Sequence, residues 1–467
     1  MARTRRLLQA LVAGALVAPS AGAQVLATAP AVDRLPNGLT VVTAPTEHPG
    51  IVAYFTLVRT GSRDETEPHR SGFAHFFEHM MFRGTRTLSA EAYEHRMQSF
   101  GADNNAYTTE DFTLYTITIP ARSLDALAAV EGDRFRNLFY QRPAFQTESR
   151  AVLGEYNKNS ASPVHQLWET LSELAFTRHT YGHTTMGYLA DIQAMPTLYD
   201  YSRQFFQRFY RPDNCTLIVV GDVQRQHVLD LARQHYGAWS GRRAPTNAPA
   251  EPEQTAPRSR ALAWEGTSPP RMLLGYRVPP FDLATRDSAA LEVLHALAFS
   301  ESSDLYQRLV VREERLLRIE SWAGELHRDS GLFTVEATLK PEATFDEVER
   351  AVTEELARIG RGETPPERLR EVASNLRYRM PMEAQTPSGV ANLIARFLAV
   401  TGEVDGYERY HRGLAEVTPE DVARVARTVL TPARRTVVTL SPADHAPEGA
   451  VRVGPNRPAQ AAPRRTP

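Results

Sequence analysis

What most constrains the fold of this chain is a pattern that runs twice. Residues 33–240 and 261–443 follow one order of hydrophobic signals. Each stretch carries an apolar strand pattern, residues 50–59 (GIVAYFTLVR) and 271–278 (RMLLGYRV). Each then turns helical, at residues 71–82 and 287–299. Each closes with a helix and a strand, residues 199–210 and 215–220 in the first, 419–430 and 436–440 in the second. A repeated order of this kind signals internal duplication. Strands separated by several helices imply α+β layering, with helices packed on one sheet face. Residues 241–260 (GRRAPTNAPAEPEQTAPRSR) have no hydrophobic period and read as a linker. Residues 447–467 are again rich in Pro, Ala and Arg and read as a disordered tail. A chain of 467 residues suits about two domains, in agreement.

The formal net charge is -2, so bulk electrostatics give no case for nucleic acid or an anionic membrane as a partner. At the N-terminus, Arg3, Arg5 and Arg6 precede an apolar run at residues 7–18 and an Ala21-Gly22-Ala23 cleavage signal. Residues 1–23 therefore read as a signal peptide, which implies a periplasmic or secreted protein. Arg5-Arg6 leaves the export route open between the general and the twin-arginine pathways. No later apolar run reaches 18 residues, so no transmembrane segment is expected in the mature chain. The single cysteine, Cys215, lies in an apolar strand pattern and reads as a core residue. Any zinc site must then use histidine and carboxylate.

The string Gly72-Phe-Ala-His75-Phe-Phe-Glu78-His79-Met-Met-Phe-Arg-Gly84-Thr85 supplies both. On a helix, positions i and i+4 share a face, so His75 and His79 can turn one ring nitrogen each towards one ion. Glu78 faces the same side, placed to take a proton from an attacking water. Phe76, Phe77, Met80, Met81 and Phe82 form an apolar opposite face. Catalytic zinc uses three protein ligands, and a third is at hand downstream. Glu148 and Glu155 are seven apart, two helical turns, and line one stripe; one can ligate and the other support.

This string resembles the inverted zinc motif of the pitrilysin/insulinase family of metallopeptidases, the inverzincins, in their half-length two-domain bacterial form. In that family a glutamate ligand follows the second histidine by about seventy-five residues, with another glutamate seven positions earlier. Here Glu155 follows His79 by 76 residues, and Glu148 precedes it by seven. The resemblance implies His75, His79 and Glu155 as metal ligands, with one Zn2+ per chain. It implies Glu78 as general base and Glu148 as catalytic support. Residues 101–113 (GADNNAYTTEDFT) resemble the family's edge strand beside the metal. Asn105, Ala106, Tyr107 and Thr108 are the substrate-binding residues it implies, holding a peptide by main-chain pairing. His183 lies in a segment similar to a family loop and reads as structural. The resemblance spans residues 33–443. It implies two homologous α+β domains, each a mainly antiparallel sheet, and a zinc metalloendopeptidase activity on peptides or unfolded segments.

The second half departs from that pattern. It lacks the metal motif, and its His295, among Leu291, Leu294 and Ala298, reads as a packed histidine. Peptide-cleaving members draw an arginine and a tyrosine from this type of domain. Asp304 and Arg318 stand at the matching places, with Tyr306 and Arg308 nearby. The implied remedy is a homo- or heterodimer in which a related subunit supplies the Arg/Tyr pair. The alternative is a non-catalytic or partly catalytic subunit of a heteromeric complex.

Overall fold

The computed structural model describes residues 24–324 and 326–455. The leader read at residues 1–23 lies outside them. Each half is built on a six-stranded sheet. The first contains β1 (Ala31–Arg34), β2 (Thr40–Pro45), β3 (Ile51–Val58), β4 (Asp103–Thr108), β5 (Thr113–Pro120) and β6 (Cys215–Gly221), in the order β1-β2-β6-β3-β5-β4. The second contains β7 (Arg258–Trp264), β8 (Arg271–Arg277), β9 (Leu316–Trp322), β10 (Leu332–Leu339), β11 (Arg435–Pro442) and β12 (Val451–Val453), in the order β12-β7-β11-β8-β10-β9. The five strands β2-β6-β3-β5-β4 thus match β7-β11-β8-β10-β9, which is the duplication seen in the sequence. Pairing is antiparallel except between β2 and β6 and between β7 and its two neighbours. The fold is α+β, with two homologous and mainly antiparallel sheets.

Two boundaries differ from expectation. Residues 451–453, expected in a disordered tail, form β12 and pair in parallel with β7. Val453 is buried with Leu262 and Trp264, and three residues are too few to show a period in the sequence. The linker is also shorter and better anchored than its composition suggests. Residues 258–260 already belong to β7. Gln254 is buried, its amide donating to the Arg435 carbonyl, and Glu251 accepts the N–H groups of Thr177, Arg178 and His179.

Strand alternation sends side chains to two faces. On β3, Val52 and Tyr54 join the core under the histidine helix (Phe73–Met80), while Ala53, Phe55 and Leu57 face the other way. That second face is closed by a helix of the other half, Pro387–Thr401, through Val390, Leu393, Ile394 and Phe397. Reciprocally, helix Pro163–Ala175 of the first half lays Leu167 and Leu171 on Leu262, Leu273, Val438 and Leu440 of the second sheet. Helices therefore cover both faces of each sheet, and the second face is closed across the boundary between the halves. Each leucine so buried contributes about 1.5–3 kcal/mol, so the exchange ties the halves into one body. A polar clasp adds to it. Asp329 of the second half accepts from Arg63 Nε and, at 3.0 Å, from His179 Nε2 of the first. Asp111 of the first accepts from the Tyr181 hydroxyl and from the Arg328 N–H.

Candidate metal centre

The histidine helix starts at Gly72, whose φ of 88° lies in the left-handed region. A Cβ there would stand 2.7 Å from the Met186 carbonyl oxygen, so the close approach requires glycine. Phe73, Phe76, Phe77 and Met80 recur at helical spacing and are buried. Phe77 stacks on Phe205 at 5.2 Å between ring centres, and Phe76 meets Phe145 edge-on at 5.2 Å. With that face fixed in the core, His75, Glu78 and His79 lie on the side towards the glutamate helix, Arg142–Ser160.

That helix brings Glu155 to the histidines. Its Oε2 lies 3.7 Å from His75 Nε2 and 3.4 Å from His79 Nε2. Among the described residues, these three form the group whose ligand atoms lie within 4.8 Å of one another. Ligands about 2.1 Å from one tetrahedral ion stand about 3.4 Å apart, so the donor set fits zinc in both type and spacing.

The two rings differ electrostatically. Burial, reinforced by the neighbouring His79, lowers His75 to about 4, which keeps its ring neutral and able to ligate. His79 is also desolvated, but the carboxylates around it, Glu148 first and then Glu155 and Glu78, together outweigh that and raise it. Glu148 is buried, which alone would raise its pKa, yet its bonds to His79 and Arg83 lower it. It is therefore an ionised acceptor held between two donors, His79 Nδ1 at 2.9 Å and Arg83 Nε.

Glu78 points beside the metal group. Its Oε2 accepts the Thr108 hydroxyl at 2.7 Å. Burial raises its carboxyl, against the opposing pull of Thr108 and His79. Thr108 ends β4, and among the described residues β4 ends its sheet with β5 as its one neighbour. Asn105, Ala106, Tyr107 and Thr108 thus share an edge strand at the centre. Asn105 is exposed and Ala106 buried, while the Tyr107 hydroxyl donates to Asn392 at 2.8 Å on the reverse face.

Asp304 and Arg318 lie elsewhere. Asp304 is exposed, 3.9 Å from Arg358, and Arg318 on β9 pairs with Glu320. Neither makes a hydrogen bond or ion pair with the metal group. His295 bonds Ser321 at 2.6 Å and lines a cavity of about 450 Å³ between the halves, where Glu292 meets Arg379 at 3.3 Å. Cys215 is buried, which pushes its thiol far up and leaves it inert.

Sequence reasoning missed Arg83, although it stands in the motif string, because its partner Glu148 comes from a distant helix. It also missed a buried polar cluster under the start of the histidine helix, formed by Glu65, Ser71 and Asp191 with His183. Burial pushes Glu65 up to about 8, against the pull of the Ala74 and Gly72 N–H groups. His183 Nδ1 bonds the Thr184 carbonyl, and its Nε2 lies 3.8 Å from Glu65, away from the metal group.

The doubled sheets and the inverted histidine motif define the class, a two-domain metallopeptidase fold. Residues 40–188 match the family described as Insulinase (Peptidase family M16), and residues 198–376 match the one described as Peptidase M16 inactive domain. The chain belongs to the insulinase family, peptidase family M16. It is 29% identical over 413 residues to the zinc protease PqqE of Helicobacter pylori, covering 87% of this chain and 92% of that one. It superposes on the crystal structure of a protease from Helicobacter pylori with a TM-score of 0.84 at 28% identity, over 88% of this chain and 99% of that one. The periplasmic protease PqqL from Escherichia coli shares the fold, with a TM-score of 0.71 at 19% identity. There the match covers 88% of this chain and 47% of the longer one.

Proposed function

We propose that this chain is a zinc-dependent endopeptidase that hydrolyses peptides or unfolded segments outside the cytoplasm, paired with a related subunit. The observation that carries this is the convergence of His75 Nε2, His79 Nε2 and Glu155 Oε2 beside Glu78 and the β4 edge. When bound, zinc supplies Lewis-acid chemistry, polarising a peptide carbonyl and lowering the pKa of a water. Glu78 accepts the proton of the attacking water at Oε1 or Oε2 and returns it to the leaving amine. The Thr108 hydroxyl holds Glu78 in place, so the base is aimed by the same strand that pairs with the substrate. Backbone groups along Asn105 to Thr108 take the peptide as an added strand. Glu148 keeps His79 in the tautomer whose Nε2 lone pair faces the ion. The leader pattern at residues 1–23, and a structural neighbour described as periplasmic, support the extracytoplasmic setting. No helix among the described residues is long and apolar enough to cross a membrane.

Pairing is favoured by Asp304 and Arg318, which hold the sequence places where the family resemblance implies an arginine and a tyrosine, and which lie apart from the metal group of their own chain. The same two residues, with the second half's match to an inactive domain, favour a second reading, a non-catalytic or partly catalytic subunit. Zinc analysis of the purified chain with a chelator-sensitive peptide assay separates the two. One zinc per chain with cleavage abolished by chelator and restored by zinc supports the peptidase. Absence of both zinc and cleavage, alone and with its partner, overturns it.

A further inference from the structure

The two histidines of the centre are held by different means. The ring of His79 is gripped at Nδ1 by Glu148. His75 has no such grip. Its Nδ1 is buried and makes no hydrogen bond, while its Nε2 faces Glu155. A ring without a partner on its second nitrogen takes its aim from packing and from the position of its own backbone. For His75 that position is set where the helix begins.

The helix begins on Glu65. This buried carboxyl group accepts the Gly72 N–H through Oε2 at 2.7 Å and the Ala74 N–H through Oε1 at 2.6 Å. Ala74 immediately precedes His75. Both N–H groups belong to the first turn, which leaves its donors without intrahelical partners. The cap residue, Gly72, has no side chain to satisfy them, so the acceptor comes from outside the helix. An acid at this end also meets the positive end of the helix dipole. The clamp is braced in turn. Ser71 donates through its N–H and its hydroxyl to Asp191 Oδ2, at 3.2 and 2.6 Å, and its Oγ accepts the Tyr188 N–H at 2.9 Å.

We propose that Glu65 is a positioning residue of the metal centre: its two-oxygen clamp on Gly72 and Ala74 fixes the start of the histidine helix and so aims His75 at the ion. Glu65 does for His75 through the backbone what Glu148 does for His79 through the ring. The inference rests on reading His75, His79 and Glu155 as zinc ligands.

The test is Glu65→Gln in the full chain. Its amide N–H faces one of the two backbone N–H groups, so one arm of the clamp is lost. The metal-free variant is compared with wild type by circular dichroism. Zinc affinity is then measured by competition with a chromophoric chelator, and the visible spectrum is recorded with Co2+ in place of zinc. Outer-shell partners of this kind are worth about 10- to 100-fold in metal affinity. The expected result is native-like circular dichroism, zinc binding weakened within that range, a changed cobalt spectrum, and a kcat that falls with little change in KM. Glu65→Asp, which keeps the carboxyl group but shortens the reach, falls between the two. If Glu65→Gln does not fold, the same two metal readouts on Glu65→Asp decide. Wild-type zinc affinity and cobalt spectrum in the folded variant overturn the proposal. A wild-type chain that takes up no zinc is a different result, which overturns the ligand reading itself.

Discussion

His79 Nδ1 lies 2.9 Å from Oε1 of Glu148. Glu148 is held ionised by His79 and Arg83 against its burial, and an ionised carboxylate only accepts, so Nδ1 carries the proton. That leaves Nε2, 3.4 Å from Glu155, with its lone pair free for an ion. Glu148→Ala removes this control while keeping all three ligands. Zinc affinity is expected to fall about 10- to 100-fold, read by chelator competition. An unchanged affinity would show that the carboxylate serves packing alone.

Glu78 should separate from its ligand neighbours. Glu78→Gln keeps the size and the Thr108 contact but cannot take a proton. Cleavage of a fluorogenic peptide should drop by at least about 10²-fold with zinc content unchanged. His75→Ala and Glu155→Ala should instead lose the metal, as metal analysis after dialysis would report. Normal turnover in Glu78→Gln would remove it from the role of base.

Pairing predicts that activity depends on a partner. The purified chain alone, sized by sedimentation, should show low turnover that rises when the related subunit is added. Removing one donor to the developing oxyanion typically costs about 10²–10³ in rate, which sets the scale of the gain. Full turnover by a monomer would sink the pairing argument.

The exchanged helices predict coupled halves. Leu171 is fully buried on the second sheet, over Gly275, where a Cβ would meet its Cδ1 at 3.1 Å. Leu171→Ala should destabilise by about 2–5 kcal/mol in denaturant unfolding. Because the helix belongs to the first half and its contacts to the second, fluorescence and circular dichroism should report one shared transition. Two separated transitions would mean that the halves fold independently.

The clasp at Asp329 predicts an acid dependence. His179 and Arg63 hold this carboxyl well below the ordinary carboxylate range, against its partial burial. A depressed folded pKa adds stability above the unfolded value, near about 4, and loses it as pH falls through that range towards the folded value. The melting temperature of Asp329→Asn should therefore lie below wild type at pH 6, and the gap should shrink below about pH 4. A gap independent of pH would assign the effect to packing.

Much of this molecule was legible in the sequence because it is local. The apolar stripe of Phe73, Phe76, Phe77 and Met80 determines a helix and its buried face, and therefore where His75, Glu78 and His79 point. The seven-residue step from Glu148 to Glu155 determines that both lie on one side of a second helix. The repeat of strand and helix patterns determines two like sheets. Tertiary structure alone decided the rest, because it rests on contacts between residues far apart in the chain. The closing of each sheet by the other half's helix follows from two apolar faces that neither half can bury by itself. The ordering of residues 451–453 comes from a free edge at β7. The grip of Thr108 on Glu78, of Arg83 on Glu148 and of Glu65 on Ala74 comes from packing that brings together polar groups from separate elements of the chain. A period in the sequence shows which face turns inward; which group waits there is decided when the elements pack and every buried donor and acceptor must find its match.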